Sequence, residues 1–310
     1  MKRGITTFPF LLIFVLIAGA FILMFFFGFG SDILSFSNKL NALSLAKSID
    51  QQLAAFTFSS NAYNTIQLRE TEVSISCTNK KTTITVDGRT IPTEKLILAP
   101  EKLKGETLKA WTYAWYYPFK IENLYFLSNP NIVYYFQNPI TQEEKKFKDN
   151  FEINFVKLDI SSLSPSSTKA VVILFNTAQN NHLNYINMPN VLKVVKLNLN
   201  LGTEQIVFCN PNCQPFPYLG DAMAYAAILA DSPETFACIK EQAVDKLNTI
   251  TKIYEQKVEN LKRYADNSCI YETEFLQKLK QPDLYPEAVK KVEEHNENLI
   301  IESCPSIYAK

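Results

Sequence analysis

Residues 71–89 read TEVSISCTNKKTTITVDGR. Val73, Ile75 and Cys77 alternate with polar neighbours, as do Ile84 and Val86. That period of two is the mark of a half-buried strand. The runs Thr71–Cys77 and Thr82–Val86 are joined by the polar Asn79-Lys80-Lys81. Asp87-Gly88 then stands between Val86 and Arg89, the dipeptide that a two-residue type I′ turn prefers. The stretch therefore predicts a three-stranded antiparallel meander.

Moving toward the C-terminus, residues 111–136 concentrate both tryptophans, Trp111 and Trp115, with Tyr116, Tyr117 and seven further aromatics. Strands are expected over Phe119–Leu127 and Ile132–Gln137, around the turn Ser128-Asn129-Pro130-Asn131. These aromatics either fill a two-layer core or form a shelf, centred on Trp111, Trp115, Tyr116 and Tyr117, that stacks on sugars or meets lipid. Further strand candidates are Phe151–Ile160, Ala170–Asn176, Val191–Leu199 and Gln205–Cys209.

From Leu219 the apolar period changes to 3.6. A short Ala-rich helix over Leu219–Ala230 is followed by Asp231-Ser232-Pro233, which restarts a helix with proline at its first position. That helix runs to about Ala265, and helices over Tyr271–Leu279 and Pro286–Ile301 follow. Hairpins first and helices last give an α+β class: an antiparallel β-rich middle and a C-terminal helical hairpin region, not a doubly wound sheet.

Toward the N-terminus, residues 8–29 hold no charged side chain and eight of the 22 phenylalanines. At 1.5 Å per residue this stretch spans roughly 33 Å, enough for a transmembrane helix across a ~30 Å hydrocarbon core. Lys2 and Arg3 precede it, so the N-terminus is expected in the cytoplasm and the remainder outside. Its length favours an uncleaved anchor over a signal peptide. After Gly30, apolar residues at Phe36, Leu40, Leu43, Ala46, Ile49, Leu53 and Phe56 form one helical stripe. The stripe over residues 31–58 either packs on the chain's own body or offers a seam to a second copy or an envelope partner. The expected organisation is a tip and anchor (1–30), an amphipathic helix (31–58), a β-rich exported domain (59–218) and a helical cysteine-bearing region (219–310).

The run Lys2-Arg3-Gly4-Ile5-Thr6 before the apolar stretch resembles the processing site of archaeal type IV prepilins. The resemblance covers only about the first 30 residues and the helix after them. It implies cleavage between Gly4 and Ile5, with Arg3 part of the recognised site, and packing of the apolar helix in a filament core. Where that family carries a glutamate at the fifth mature position, this chain has Pro9.

Six cysteines, Cys77, Cys209, Cys213, Cys238, Cys269 and Cys304, in an exported chain point to disulfides. Along one straight helix Cys238 and Cys269 stand roughly 40 Å or more apart, too far to pair. Cys269 opens the last helical hairpin and Cys304 closes it, so these two are expected to bridge. Cys209, Cys213 and Cys238 share bridges with one another or with Cys77.

Catalytic signatures are missing. Cys209-Asn210-Pro211-Asn212-Cys213 has three intervening residues rather than the two of thioredoxin-like chemistry. His182 and His295 are the only histidines, and neither has a partner at metal-ligand spacing. After Gly30 only Gly88, Gly105, Gly202 and Gly220 remain, so no glycine loop cradles a phosphate. The sequence implies no cofactor or metal. Equal numbers of basic and acidic residues, 31 each, argue against a nucleic-acid partner. The reading that results is a non-catalytic, membrane-anchored surface, attachment or scaffolding protein. A pilin-like filament subunit and an anchored glycan-binding or hydrolytic domain are the alternatives.

Overall fold

The computed structural model describes residues 15–21, 24, 40–57, 59, 62–68, 71–100, 102–151, 156–164, 169–175, 183–199, 205–210, 212–264, 268–280 and 285–309. The first long helix, α1 (residues 40–55), packs Ala42, Ala46, Ile49 and Leu53 into the core. Where it ends, the Asn123 side-chain amide donates to the carbonyls of Phe56, Thr57 and Ser59 at 3.0–3.2 Å, holding the chain as it leaves the helix. Asp50 fixes the other side, accepting from Lys95 and Thr93 at 2.7 Å each.

Two four-stranded sheets follow. The meander β2 (Glu72–Thr78), β3 (Lys81–Val86) and β4 (Arg89–Thr93) forms as the alternation predicts, with β6 (Leu103–Lys104) beside β2. Both of its turns are two residues long. Asn79 and Lys80 have φ of 52° and 58°, and Asp87 and Gly88 have 44° and 76°, the left-handed pair that a type I′ turn requires. The second sheet runs β1 (Tyr63–Gln67), β7 (Thr107–Tyr116), β8 (Lys120–Ser128), β5 (Leu96–Leu98), with β5 parallel to β8.

The third sheet departs from the antiparallel expectation. Its order is β10 (Val156–Asp159), β9 (Ile132–Phe136), β11 (Lys169–Phe175), β12 (Val191–Asn198), β13 (Gln205–Asn210), β14 (Asn212–Pro217). The first four strands are mutually parallel, and only β13 and β14 return antiparallel. The physical reason is burial on both faces. Ile132–Phe136 and Ala170–Phe175 are continuously apolar and continuously buried, as strands covered on both faces must be. Their crossovers use α2 (Gln142–Asn150) and the single-turn α3 (Leu183–Ile186). The polar α2 escapes a search for apolar periodicity. Its signature is instead the capping box Thr141–Glu144: Thr141 Oγ1 accepts from Glu144 N–H while the Glu144 carboxylate accepts from the Thr141 N–H.

Helix α4 (Asp221–Leu229) is buried at every residue after Asp221. It is apolar all round because it is enclosed all round. It packs on β7, β8 and α5 (Pro233–Tyr264), while Tyr225 meets Phe147 of α2 at 4.6 Å between ring centres. Helix α5 presents Phe236, Ile239, Ala243, Leu247 and Val258 to the same core. A single apolar cluster reaches from Ala42 to Tyr308, so elements on both sides of Leu219 share it. Helices α6 (Glu274–Lys278) and α7 (Tyr285–Ile301) close the chain.

The expected transmembrane helix is not among the described elements. Among the described residues no helix is long and apolar enough to cross a membrane. Residues 15–21 and Met24 are helical, and most of the remaining 8–29 stretch lies outside the described residues.

Candidate functional site

The aromatic shelf does not stand at the surface. Trp111, Trp115 and Tyr117 are buried, and of the four residues only Tyr116 is exposed, at 55%. Strands β7 and β8 are the inner strands of their sheet and are covered on both faces, so large side chains fill both. Trp115 donates its indole N–H to the Leu219 carbonyl at 2.8 Å, and Trp111 packs on Phe126 with ring centres 5.3 Å apart. Of the α1 stripe expected as a possible seam, Ala46, Ile49 and Leu53 are buried inside the same chain, Leu43 and Phe56 are half-buried, and Leu40 is exposed. Residues 31–39 lie outside the described residues, as do Arg3, Gly4 and Ile5 of the prepilin-like run and His182.

All six cysteines are bridged, as Cys77–Cys238, Cys209–Cys213 and Cys269–Cys304. The first fastens α5 to β2, the second joins register partners of the β13–β14 hairpin, and the third closes the α6–α7 end. Stable disulfides are a property of extracellular or otherwise oxidising compartments, and this chain is suited to one. His295 is a structural residue: its Nε2 accepts from the Glu272 N–H at 3.2 Å, its ring edge meets Phe275, and burial lowers its pKa. Among the described residues no group of three His, Cys, Asp or Glu side chains could hold a metal ion.

The strand order of the parallel sheet reverses between β9 and β11, where open α/β sheets usually offer a ligand crevice. Here Gln137 bridges the two strand ends. Its N–H donates to the Ile173 carbonyl and its side-chain oxygen accepts from the Phe175 N–H, each at 2.9 Å.

A cleft of about 770 Å³ opens instead between α1 and the β3–β4 hairpin. Helix α1 contributes Asn41, Ser44 and Ser48 with the apolar Ala42 and Leu45, and the end of β1 and the connection after it contribute Gln67, Leu68 and Thr71. Ser44 and Ser48, four apart, share one helix face. The opposite wall is Asp87 and Arg89. The Asp87 carboxylate accepts from the Glu72 N–H at 3.0 Å, and its own N–H donates to the Glu72 carbonyl, which locks the turn that positions Arg89. Arg89 is exposed and has no ion-pair partner among the described residues. These residues come from three separate stretches of chain. Only the Asp87-Gly88 turn carried a sequence signal, and that signal concerned the hairpin.

Lys193 is a second residue that sequence reasoning missed. It lies on the core face of β12, where its ammonium donates to the carbonyls of Ala227 and Ala230 at the end of α4 and stands 5.9 Å from the Phe208 ring centre. Burial pushes its pKa down to about 7, with Asp231 opposing.

Comparison of the chain with protein-family models, curated proteins and solved structures gave no match in any of the three. Fold and site together define an α+β protein with three disulfides and a cleft of mixed polar and apolar lining.

Proposed function

We propose that this chain is an exported, membrane-associated attachment or scaffolding protein that acts by binding. The observation that carries this reading is the pairing of all six cysteines, which ties the folded state to an oxidising compartment. Two sequence features support the membrane side: the uncharged apolar residues 8–29, and Lys2 and Arg3 ahead of them, which favour a cytoplasmic N-terminus. The cleft supports a binding role, because its hydroxyls, amides and guanidinium can hydrogen-bond polar groups.

The test is differential alkylation and proteolysis on whole cells. The six thiols should resist alkylation until a reductant is added, and protease added to intact cells should remove the folded part while the chain stays in the membrane fraction. Cysteines alkylated without reductant, or a chain protected until the cells are lysed, would overturn the reading.

A further inference from the structure

We propose that the cleft between α1 and the β3–β4 hairpin binds an anionic polyol: a phosphate-bearing inositol or glycerol unit, free or as a lipid headgroup. The guanidinium of Arg89 is a planar fork that matches phosphate oxygens two at a time, and among the described residues no carboxylate occupies it. Facing it are groups that suit hydroxyls. Ser48 Oγ already accepts from Gln52, so its O–H remains to donate, and Ser44 lies one turn away on the same face. The amides of Asn41 and Gln67 both donate and accept. One cation flanked by mixed donors and acceptors suits a hydroxylated anion, and Ala42, Leu45 and Leu68 can pack on the carbon face of a polyol. The 770 Å³ volume lies within the range of about 300–1,000 Å³ usual for small-molecule sites.

Asp87 sets the limit on affinity. One of its oxygens holds the Glu72 N–H, and its charge opposes an anion in the same cleft. The lipid source rests on the membrane association proposed above. Asn41 follows Phe29 by twelve positions, a tether of at most about 40 Å, which keeps the cleft within reach of headgroups.

The experiment uses the full chain in phosphatidylcholine nanodiscs, titrated calorimetrically with myo-inositol 1-phosphate, with myo-inositol and with inorganic phosphate. The inositol phosphate should bind best of the three, and R89Q should weaken it at least about tenfold. R89Q replaces an exposed side chain, so its thermal unfolding should match the parent. D87N keeps the Asn-Gly turn chemistry, removes the opposing charge and should tighten binding. No binding by the parent chain, or equal affinity in R89Q, overturns the site. Adding phosphatidylinositol to the nanodiscs separates the sources. Arg89-dependent competition assigns the lipid headgroup, whereas undiminished inositol-phosphate binding assigns a free ligand. A chain recovered in the soluble fraction of cells that still binds through Arg89 overturns the membrane reading and leaves the site standing.

Discussion

Single polar side chains hold the ends of elements together in this molecule, and Lys193 is the one whose titration is moved to near neutrality. A lysine enclosed by Phe208 and the last turn of α4 ionises at the expense of lost hydration, which pushes its pKa down to about 7 from an ordinary 10.5. Between those values the unfolded chain binds more proton than the folded one, so stability rises with pH across that window and declines as pH falls through about 7. Replacing the residue, as K193M, removes the titration. The urea midpoint of the parent should therefore climb from pH 7 to pH 10 relative to that of the variant, and parallel profiles for the two would refute the assignment. Asn296 performs an uncharged version of the same task. Its side-chain oxygen accepts from the Ile307 and Tyr308 N–H groups, and its amide donates to the Tyr308 carbonyl. That clamp keeps the C-terminal segment inside the aromatic cluster of Phe119, Tyr254 and Tyr308.

At the scale of elements, α2 shows how a helix can form with little apolar surface. Only Phe147 and the capping Glu144 are buried along its nine residues, so its start depends on the reciprocal cap with Thr141. T141A should cost about 1 kcal/mol by loss of that cap, read as a lowered denaturant midpoint with an unchanged slope. An unaltered midpoint would show that the β9–α2–β10 crossover is held by packing alone. Helix α5 depends on the opposite resource, a long apolar face. Its charged residues add surface ties, with Lys80 to Asp245 at 2.9 Å and Lys246 to Glu122 at 2.8 Å. The first pair is exposed and contributes little, whereas the second is half-buried.

For the whole molecule, the disulfides differ in what they constrain. Cys77 and Cys238 are 161 positions apart, and they bind the meander to the helix that crosses the core. Cys209 and Cys213 are four apart within one hairpin. In the chain-entropy account the long loop stabilises by about 5 kcal/mol and the short one by about 2. The double variant C77A/C238A should therefore lower the melting temperature distinctly more than C209A/C213A does. Equal losses would place the stabilisation in local packing instead.

Much of this architecture is legible in the order of the residues, and the legible parts share a cause. The meander follows from alternation and from the turn dipeptide Asp87-Gly88, α5 from a 3.6-residue period opened by Pro233, and the Cys269–Cys304 bridge from the return of a helical hairpin. Each depends on interactions between near neighbours in the chain. The features that stayed hidden depend on neighbours far away. Whether Trp111 and Trp115 lie inside or outside was decided by what covers β7, the parallel pairing of β9 with β11 by where two crossovers place their strands, and the burial of Lys193 by the arrival of α4. The polar cleft belongs to the same group. Asn41, Ser48, Gln67 and Arg89 carry no mutual signal along the sequence, and tertiary packing alone brings their donors and acceptors to face one space.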